Sequence, residues 1–360
     1  MTLRLLHTAD WQLGKPFGHF DADTKARLQE ARFDMIGRIA AAARSRGVRH
    51  ILVAGDVFDQ EQPADRTLRR AMDRMAEAHD CTFWLLPGNH DPAGPLGLWP
   101  RLTGMGLPGN VMPLTEPVPV ELAPGVLLLP APWTSKRPGR DLTAWFSEAT
   151  TDAELRVGLA HGPVQAFGSD PDLSGIISAD RADTAGLTYL ALGDWHGHRR
   201  AGPRAFYAGT PEADSFKSNA QGHALLVDLA RPDSPEPLPV GAFTWRAETL
   251  AACPEWSDLA PLDALIAPEP SPDRQLLRLS LTGSLSLELH TALDEWTRTQ
   301  AARLAWLEVD RDALGMAADP AELERLIADG MLRDVAMRLQ AMESAEARDA
   351  LELLGHLAQR

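Results

Sequence analysis

Short apolar runs alternate with helix-like segments through the first part of the chain. Leu3 to Leu6, His50 to Ala54 and Thr82 to Leu86 are apolar runs of strand length, each followed by polar or glycine residues. Between them, Asp21 to Arg46 and Arg66 to Ala78 place apolar side chains at roughly helical spacing and are rich in helix formers. This β-α-β-α-β order predicts strands that are mostly parallel and covered by helices.

Apolar runs of strand length continue beyond residue 117 with little helical pattern between them. Val118 to Leu122 and Val126 to Leu129 are separated by Ala123-Pro124-Gly125, which predicts a hairpin. Further strands are predicted at 157–160, 189–192, 205–208 and 224–228. A second sheet packed on the first accounts for these strands, so we expect an α/β fold, a sandwich of two sheets with helices.

Two proline-rich segments divide the second half of the chain. Arg231 to Pro239 predicts a linker or domain edge, and Pro268 to Pro272 a second break. A compact β-α-β unit is then predicted from Leu276 to Leu281, Leu285 to Leu304 and Leu304 to Val309. From Pro320 onward, apolar residues recur at helical intervals. The expected organisation is a large α/β domain over 1–235, a small α+β domain over 240–315 and a helical tail over 316–360.

Composition narrows the class of protein. Of the 360 residues, 44% are hydrophobic, which allows a sizeable core. Asp and Glu total 50 against 35 Lys and Arg, and the formal charge of -15 argues against a polybasic surface that grips nucleic acid nonspecifically. Acidic residues gathered around metal ions would give the same count, so a nucleic-acid enzyme is not excluded.

The cysteine content and the lengths of the apolar runs bear on the cellular location of the protein. Cys81 and Cys253 are the only cysteines, which excludes a disulfide framework and a four-cysteine zinc site. No apolar run reaches the length of a membrane span, and the first residues lack the layout of a signal peptide. We therefore expect a cytoplasmic protein with no membrane contact.

Residues that can bind metal ions recur directly after predicted strands, where open α/β proteins bind ligands. Five strands end in this way, at Asp10-Trp11-Gln12, Gly55-Asp56-Val57-Phe58-Asp59, Gly88-Asn89-His90-Asp91, His161-Gly162 and Gly193-Asp194-Trp195-His196-Gly197-His198. Each motif alone has an ordinary explanation as a turn, a cap or an edge histidine. Five in the same position indicate a shared site, in which one bridging carboxylate holds two divalent ions about 3.5–4 Å apart.

The ordered set resembles the calcineurin-like metallophosphoesterases, whose motifs are Asp-x-His, Gly-Asp-x-x-Asp, Gly-Asn-His-Asp, His and Gly-His-x-His. The opening His7-Thr8-Ala9-Asp10-Trp11-Gln12-Leu13-Gly14 is similar to that of the DNA-repair exonuclease branch, the SbcD-like nuclease subunits. Tyr207 to Glu212 resembles the segment that follows the last metal motif of that branch. The resemblance covers approximately residues 1–230, and it implies a metal-dependent DNA exonuclease or phosphodiesterase acting in repair.

The resemblance also implies roles for single residues. Around the first ion it places Asp10, Gln12, Asp56 and His196. Around the second ion, with Asp56 as the bridge, it places Asn89, His161 and Asp194. His90 is expected to act as general acid beside the scissile phosphate, with Asp91 orienting it, whereas Asp59 is expected to be structural. Candidates for contacts with substrate phosphates, with a plain surface role as the alternative, are Lys15, Arg199 and Arg204, and also Arg200, Lys136, Arg137 and Arg140.

Two positions depart from the family pattern. Gln12 stands in place of the histidine of Asp-x-His, and Asp194 in place of the first histidine of Gly-His-x-His. A register that pairs His196 with His198 is the alternative, but it removes Gly193 from its place directly before the first ligand. Both replacements exchange nitrogen for oxygen, which favours Mn²⁺, or Mg²⁺, over zinc or copper. We expect two divalent ions, the first bound less tightly than the second, in a pocket walled by Trp11 and Trp195.

Partners and other functions follow from the same resemblance. It implies DNA as substrate, an SMC-type ATPase that docks on the helical tail, and a homodimer, and the unit near 273–312 resembles in layout a capping domain that flanks the active site. Self-packing is the alternative for the tail. Two other functions remain open: a phosphodiesterase or phosphatase for small nucleotides, and a catalytically weakened scaffold subunit of an ATPase complex.

Overall fold

The computed structural model describes most of the chain, namely residues 3–149, 153–165, 175–217, 221–266, 271–317 and 330–342, together with 344, 346, 347 and 350. These residues fall into two compact units. The first unit lies within Met1–Asp214 and Ala220–Phe243, and the second within Ser215–Asn219 and Thr244–Arg360. No helix among the described residues is both long enough and apolar enough to cross a membrane.

Two sheets form the first unit. In chain order, its strands are β1 (Arg4–Thr8), β2 (His50–Val53), β3 (Thr82–Leu85), β4 (Val111–Pro113), β5 (Val120–Ala123), β6 (Val126–Ala131), β7 (Leu155–His161), β8 (Tyr189–Gly193), β9 (Arg199–Arg200), β10 (Ala205–Tyr207) and β11 (Gln221–Asp228). One sheet has the order β11-β1-β2-β3-β4, with β1 to β4 parallel and β11 antiparallel to β1. The other has the order β5-β6-β7-β8-β10-β9, with β6, β7, β8 and β10 parallel. The predicted hairpin is the antiparallel pair β5 and β6.

Helices cover the outer faces of both sheets. They are α1 (Ala22–Ser45), α2 (Asp65–Ala76), α3 (Leu98–Gly104) and the short α4 (Arg181–Thr184). Leu5 of β1 is buried between the sheets with Leu128 and Tyr189, whereas its neighbour Leu6 packs with Ile36 of α1 on the other face. This alternation follows from the strand period of two. The predicted two-sheet α/β fold is therefore confirmed.

Helix α1 shows how the sequence sets an element that supports the site. The carboxylate of Asp21 accepts hydrogen bonds from the backbone N–H groups of Asp23 and Thr24, both at 3.0 Å, and so caps the first turn. Gly47, with φ of 65°, lies just beyond the end of the helix in the left-handed region that favours glycine. The helix agrees within a residue at each end with the predicted segment, Asp21 to Arg46.

The second unit contains a parallel β-α-β arrangement, as predicted. Its elements are the later part of β12 (Glu236–Ala252), α5 (Ala260–Asp263), β13 (Gln275–Leu285), α6 (Leu287–Ala301), β14 (Trp306–Met316) and α7 (Gly330–Gln340). Strand β13 pairs in parallel with both β12 and β14. Ser286 caps α6 by accepting from Leu289 N at 3.3 Å, and the buried Leu279, Leu293 and Trp296 share one core.

The predicted linker over Arg231 to Pro239 is wrong from residue 236 onward, because β12 begins there and runs to Ala252. Leu238 and Val240 are buried while Pro237 and Pro239 are exposed, so the prolines occupy the outward positions of a strand that alternates normally. The two prolines therefore wrongly indicate a linker at these positions. Residues 268–270 of the second predicted break lie outside the described residues, as do 318–329 and 351–360 of the predicted tail.

Candidate metal centre

The loops after β1, β2, β3, β7 and β8 meet at the carboxyl ends of the parallel strands. Backbone hydrogen bonds join two of these loops, from Asp10 N to Gly55 O at 3.1 Å and from Gln12 N to Asp56 O at 2.9 Å. One ligand atom from each of Asp10, Asp56 and His161 lies within 4.8 Å of the others, and all three side chains are buried. The structure thus brings together residues that are up to 151 positions apart in sequence, from Asp10 to His161.

His161 presents one nitrogen to this cluster. Its Nδ1 donates to the carbonyl oxygen of Ala54 at 2.9 Å, which leaves Nε2 as the nitrogen with a lone pair in the neutral ring. Nε2 lies 3.5 Å from Asp56 Oδ1 and 3.8 Å from Asp194 Oδ1. A backbone carbonyl therefore holds the imidazole in the tautomer that a metal ligand needs.

Asn89 completes what we call the acceptor cluster, formed by Asp10, Asp56, Asn89 and His161. Its Oδ1 faces only acceptors, with His161 Nε2 at 2.9 Å, Asp56 Oδ1 at 3.1 Å and Asp56 Oδ2 at 3.2 Å. Rotating the amide so that its O and N exchange places would put a donor, the NH2 group, among these acceptors. A cation bound between the acceptors would satisfy them with the amide as it stands. Carboxylate and amide oxygens with one imidazole form a donor set that fits Mn²⁺ or Mg²⁺.

Burial and the close approach of several carboxylates shift the pKa values of the side chains at this site. Burial raises the pKa of Asp10 to about 6, with further contributions from Asp56 and Asp194, against the lowering effects of His161 and His196. Burial also raises the pKa of Asp194. Burial alone would lower the pKa of His161, but the nearby carboxylates outweigh it and raise the pKa to about 9. A divalent cation offers the same relief of repulsion as a proton and would compete with it.

Two glycines allow the loops to approach this closely. A Cβ atom on Gly88 would lie 2.2 Å from Asp56 Oδ1, and one on Gly193 would lie 1.8 Å from the carbonyl oxygen of Ala54. Real Cβ atoms do not tolerate either distance. The glycine of the Gly-Asn-His-Asp motif is thus explained by contact with the proposed bridging carboxylate.

His90 lies at the edge of the acceptor cluster, and its orienting partner differs from the one we expected. Its Nδ1 donates to the carbonyl oxygen of Asp59 at 2.8 Å, and its Nε2 lies 3.9 Å from Asp56 Oδ2. Asp91 instead accepts from the backbone N–H groups of Gly88 at 2.6 Å and Phe58 at 3.0 Å. Asp91 therefore fixes the loop that carries Asn89 and His90, because burial of a carboxylate requires donors for both oxygens.

The first half-site contains an unexpected ring of side chains, Gln12, Lys15, His196 and Asp214, which we call the lysine ring. Lys15 Nζ donates to Gln12 Oε1 at 2.6 Å and to Asp214 Oδ2 at 2.8 Å. Gln12 Nε2 donates to His196 Nε2 at 3.2 Å, and His196 Nδ1 lies 3.1 Å from Asp214 Oδ1. Sequence reasoning missed Asp214 and assigned Lys15 to substrate, whereas Lys15 is committed to this internal ring.

Two of the other predicted phosphate contacts, Arg199 and Arg204, have partners of their own. Arg204 pairs with Asp183, and the Arg199 guanidinium lies over the ring of Trp195, 5.1 Å from its centroid. Two further predicted contacts, Lys136 and Arg137, lie in a groove of about 370 Å³ that reaches Asn89 of the acceptor cluster. It is lined by Asp59, Gln60, Glu61, Asn89, His90, Lys136 and Arg137.

The structure also bears on the roles expected of Trp11, Trp195 and His198. Trp11 is fully buried and donates from Nε1 to Thr8 Oγ1 at 3.1 Å, so the expectation that it walls the pocket is wrong. Trp195 is 50% exposed. His198 packs against the rings of Phe206 and His223, while Asp194 N donates to Asp10 Oδ2 at 3.1 Å. The alternative register, with His198 as a ligand, therefore has no support in the structure.

Comparison with known proteins agrees with this geometry. The family model described as calcineurin-like phosphoesterase matches residues 3–198. The SbcD component of the SbcCD nuclease from Rhodobacter capsulatus is 29% identical to this chain, over 90% of the chain and 92% of that protein. The corresponding SbcCD nuclease component from Bacillus subtilis is 26% identical, over 64% of the chain and 67% of that protein.

A solved structure, TT1561 of Thermus thermophilus, is 14% identical and superposes with a TM-score of 0.45, covering 67% of this chain and all of that one. The family model spans more than half of the sequence and contains the loops that carry Asp10, Asp56, Asn89, His161 and His196. The chain therefore belongs to the calcineurin-like phosphoesterases.

Proposed function

We propose that this phosphoesterase is a metal-dependent nuclease that hydrolyses phosphodiester bonds of DNA, as an exonuclease in DNA repair. The observation that carries the proposal is the convergence of the acceptor cluster with His90 at the head of a groove that Lys136 and Arg137 line together with Asp59 and Glu61. Relatives whose names describe them as nuclease subunits support the choice of substrate.

The residues that would hold the metal ions divide into two groups. Asp10, Asp56, Asn89, His161 and Asp194 would hold the tightly bound ion, and in the family pattern Gln12 and His196, with Asp10 and Asp56, stand at the weaker first half-site. Manganese suits this oxygen-rich donor set best, with magnesium as the alternative. When bound, such ions polarise the phosphoryl group and supply hydroxide at neutral pH.

The protein residues would act around the scissile phosphate. His90 would act as an imidazolium: Nδ1–H stays on the carbonyl oxygen of Asp59, and Nε2–H would pass its proton to the leaving oxygen, which leaves a neutral ring. Lys136 and Arg137 line the same groove as His90 and are exposed. Lys136 lies 3.4 Å from Glu61, but both side chains are exposed, so a substrate phosphate can replace this carboxylate.

The second unit and the tail are proposed to serve assembly. We infer a capping role for residues 240–315 and a docking role for the tail, 316–360, toward an SMC-type ATPase; a homodimer and a cytoplasmic location belong to the same proposal. Helix α7 exposes Val335 and Met337, at 42% and 59% of their surface, which gives a partner an apolar contact. Names of relatives as one subunit of SbcCD support an assembly with a second subunit.

The test is a manganese-dependent assay on end-labelled double- and single-stranded DNA, with bis-p-nitrophenyl phosphate beside it. We expect cleavage of DNA by the full chain and loss of that cleavage in His90→Ala, with manganese still bound, because the residue donates a proton without being a ligand. His79→Ala is the matched control, since His79 is exposed on the first unit.

Two outcomes would replace the proposal. Turnover of small nucleotides by the full chain, without cleavage of DNA, would indicate a small-nucleotide phosphodiesterase or phosphatase. Wild-type protein that binds manganese but cleaves nothing, so that His90→Ala changes no rate, would indicate a scaffold subunit.

A further inference from the structure

The lysine ring satisfies the hydrogen-bonding groups of the first half-site without any ion. A lysine ammonium can only donate, so its 2.6 Å contact fixes Oε1 as the atom of Gln12 that faces Lys15. The amide nitrogen of Gln12 must then face His196 Nε2, which accepts at 3.2 Å. His196 Nδ1 donates to Asp214, so each donor in the ring meets an acceptor.

The ring also contains a buried ion pair. Lys15 Nζ lies 2.8 Å from Asp214 Oδ2, and the side chain of Asp214 is only 4% exposed. The guanidinium of the buried Arg32 lies 3.7 Å from the same oxygen. Asp214 therefore already has two cationic partners, Lys15 and Arg32.

The segment that carries Asp214 is held in place from several directions. Glu212, two residues earlier, accepts from the backbone N–H groups of Ala242 at 2.8 Å and Phe243 at 2.9 Å. The buried Arg32 donates to the carbonyl oxygens of Trp11 at 2.7 Å and Glu212 at 3.2 Å. Because these anchors are buried, Asp214 cannot readily leave Lys15 to make room for a second cation.

The acceptor cluster has the opposite character. Oxygens of Asp56, the oxygen of Asn89 and Nε2 of His161 gather within 3.5 Å of one another, and only a proton on His161 or a turned amide of Asn89 would supply a donor among them. The acceptor cluster thus favours the binding of a cation, whereas the first half-site already contains one, the ammonium of Lys15. The donor atoms of Gln12 and His196 therefore do not fit a divalent ion as they stand.

We propose that Lys15 replaces the metal ion of the first half-site, so that this chain works with one divalent ion in the acceptor cluster and a lysine ammonium beside it. This inference rests on the proposed metal-dependent function, because it names the cations of that same site. A second divalent ion would have to displace Lys15 from Gln12 and Asp214 and would be repelled by its charge. This explains why glutamine suits the position of the family's histidine: the Gln12 amide accepts from the lysine and donates to His196.

The test is the manganese stoichiometry of the full chain, measured by calorimetric titration of metal-free protein and by electron paramagnetic resonance. We expect one tight equivalent, with the resolved hyperfine pattern of an isolated ion. In Lys15→Met, a second equivalent should bind about tenfold more tightly than in the wild type and produce an exchange-coupled spectrum. Lys15→Arg keeps the charge and should retain one tight equivalent.

The wild-type spectrum decides the inference whether or not the variants fold. Two equivalents of similar affinity with an exchange-coupled spectrum would overturn the role of Lys15 and leave the nuclease proposal intact. An unchanged second equivalent in folded Lys15→Met would also overturn it. Absence of any tight manganese would overturn the metal-dependent function together with this inference.

Discussion

Four of the predicted metal-site residues have backbones in the left-handed region, where side chains other than glycine are strained. The φ angles are 53° at Asp10, 44° at Gln12, 51° at Asp56 and 108° at Asp194, and among the described residues only Phe17 joins them outside glycine. Each such residue costs about 1–3 kcal/mol. These residues lie just after β1, β2 and β8. The strained backbone changes direction sharply at each of them and points the side chain at the acceptor cluster.

Replacing Asp194 separates strain from function. Asp194→Gly should be about 1 kcal/mol more stable to urea unfolding than Asp194→Ala, because glycine adopts φ of 108° without strain. Both variants should bind manganese more weakly than the wild type, because each loses the carboxylate that lies 3.8 Å from His161. Equal stability of the two variants would show that the backbone at this position is not strained.

Gly88 is predicted to be indispensable to the position of the Asp56 carboxylate. In Gly88→Ala, the added Cβ would lie 2.2 Å from Asp56 Oδ1, so the carboxylate must move and manganese affinity should fall by about 10–100-fold. Gly37→Ala is the matched control, because nothing lies within 4 Å of its Cβ position in α1. Isothermal titration with manganese measures both variants, and equal affinities would contradict the account.

The sheets of the first unit are joined beneath the site by His7 of β1. Its Nδ1 accepts from the hydroxyl of Tyr189 at 3.0 Å, and its Nε2 donates to the carbonyl oxygen of Leu192 at 3.1 Å, both in β8. Burial lowers the pKa of His7 to about 3. The first residue of the His-Thr-Ala-Asp motif is therefore a neutral structural link between the strands that deliver Asp10 and Asp194.

This link predicts an acid-sensitive stability. The unfolded chain binds a proton on His7 below about pH 6.5 and the folded chain does so only near pH 3, so stability falls as pH drops through that window. Between pH 7 and pH 5, His7 should account for a loss of about 2 kcal/mol in the free energy of unfolding.

Urea unfolding at the two pH values tests this. His7→Gln should be less stable at pH 7 but should lack that part of the pH dependence. His79→Gln, at an exposed position, should keep the full dependence. A His7→Gln protein that loses as much stability on acidification as the wild type would rule out His7 as the source.

Most elements of the first unit could be predicted from sequence because each has a clear period and a capping or turn signal. Strand β12 could not, because Pro237 and Pro239 concealed the alternation of Leu238 and Val240. The ligand loops were found because they follow strands in a fixed order. Asp214 was missed because its contacts with Lys15 and His196 join residues 199 and 18 positions away, and no local pattern marks it.

The whole chain has a formal charge of -15, so binding of DNA, itself an anion, requires basic side chains close to the site. Lys136 and Arg137 provide them beside His90. The double variant Lys136→Gln with Arg137→Gln should weaken DNA binding and reduce the slope of log affinity against log salt by about two, one for each lost phosphate contact.

Fluorescence anisotropy across a sodium chloride series measures this slope. Arg69→Gln, exposed on α2, should leave the slope as it is in the wild type. Hydrolysis of bis-p-nitrophenyl phosphate should change little in the double variant, since this small ester does not extend along the groove. An unchanged slope would place the DNA on another surface of the chain.

Anomalous diffraction from crystals of the full chain grown with manganese tests the central claim most directly. We expect a strong peak at the manganese edge in contact with carboxylate oxygens of Asp10 and Asp56, with Asn89 Oδ1 and with His161 Nε2. Absence of a peak there, with manganese bound elsewhere or not at all, would contradict the claim that these loops converge to hold a catalytic cation.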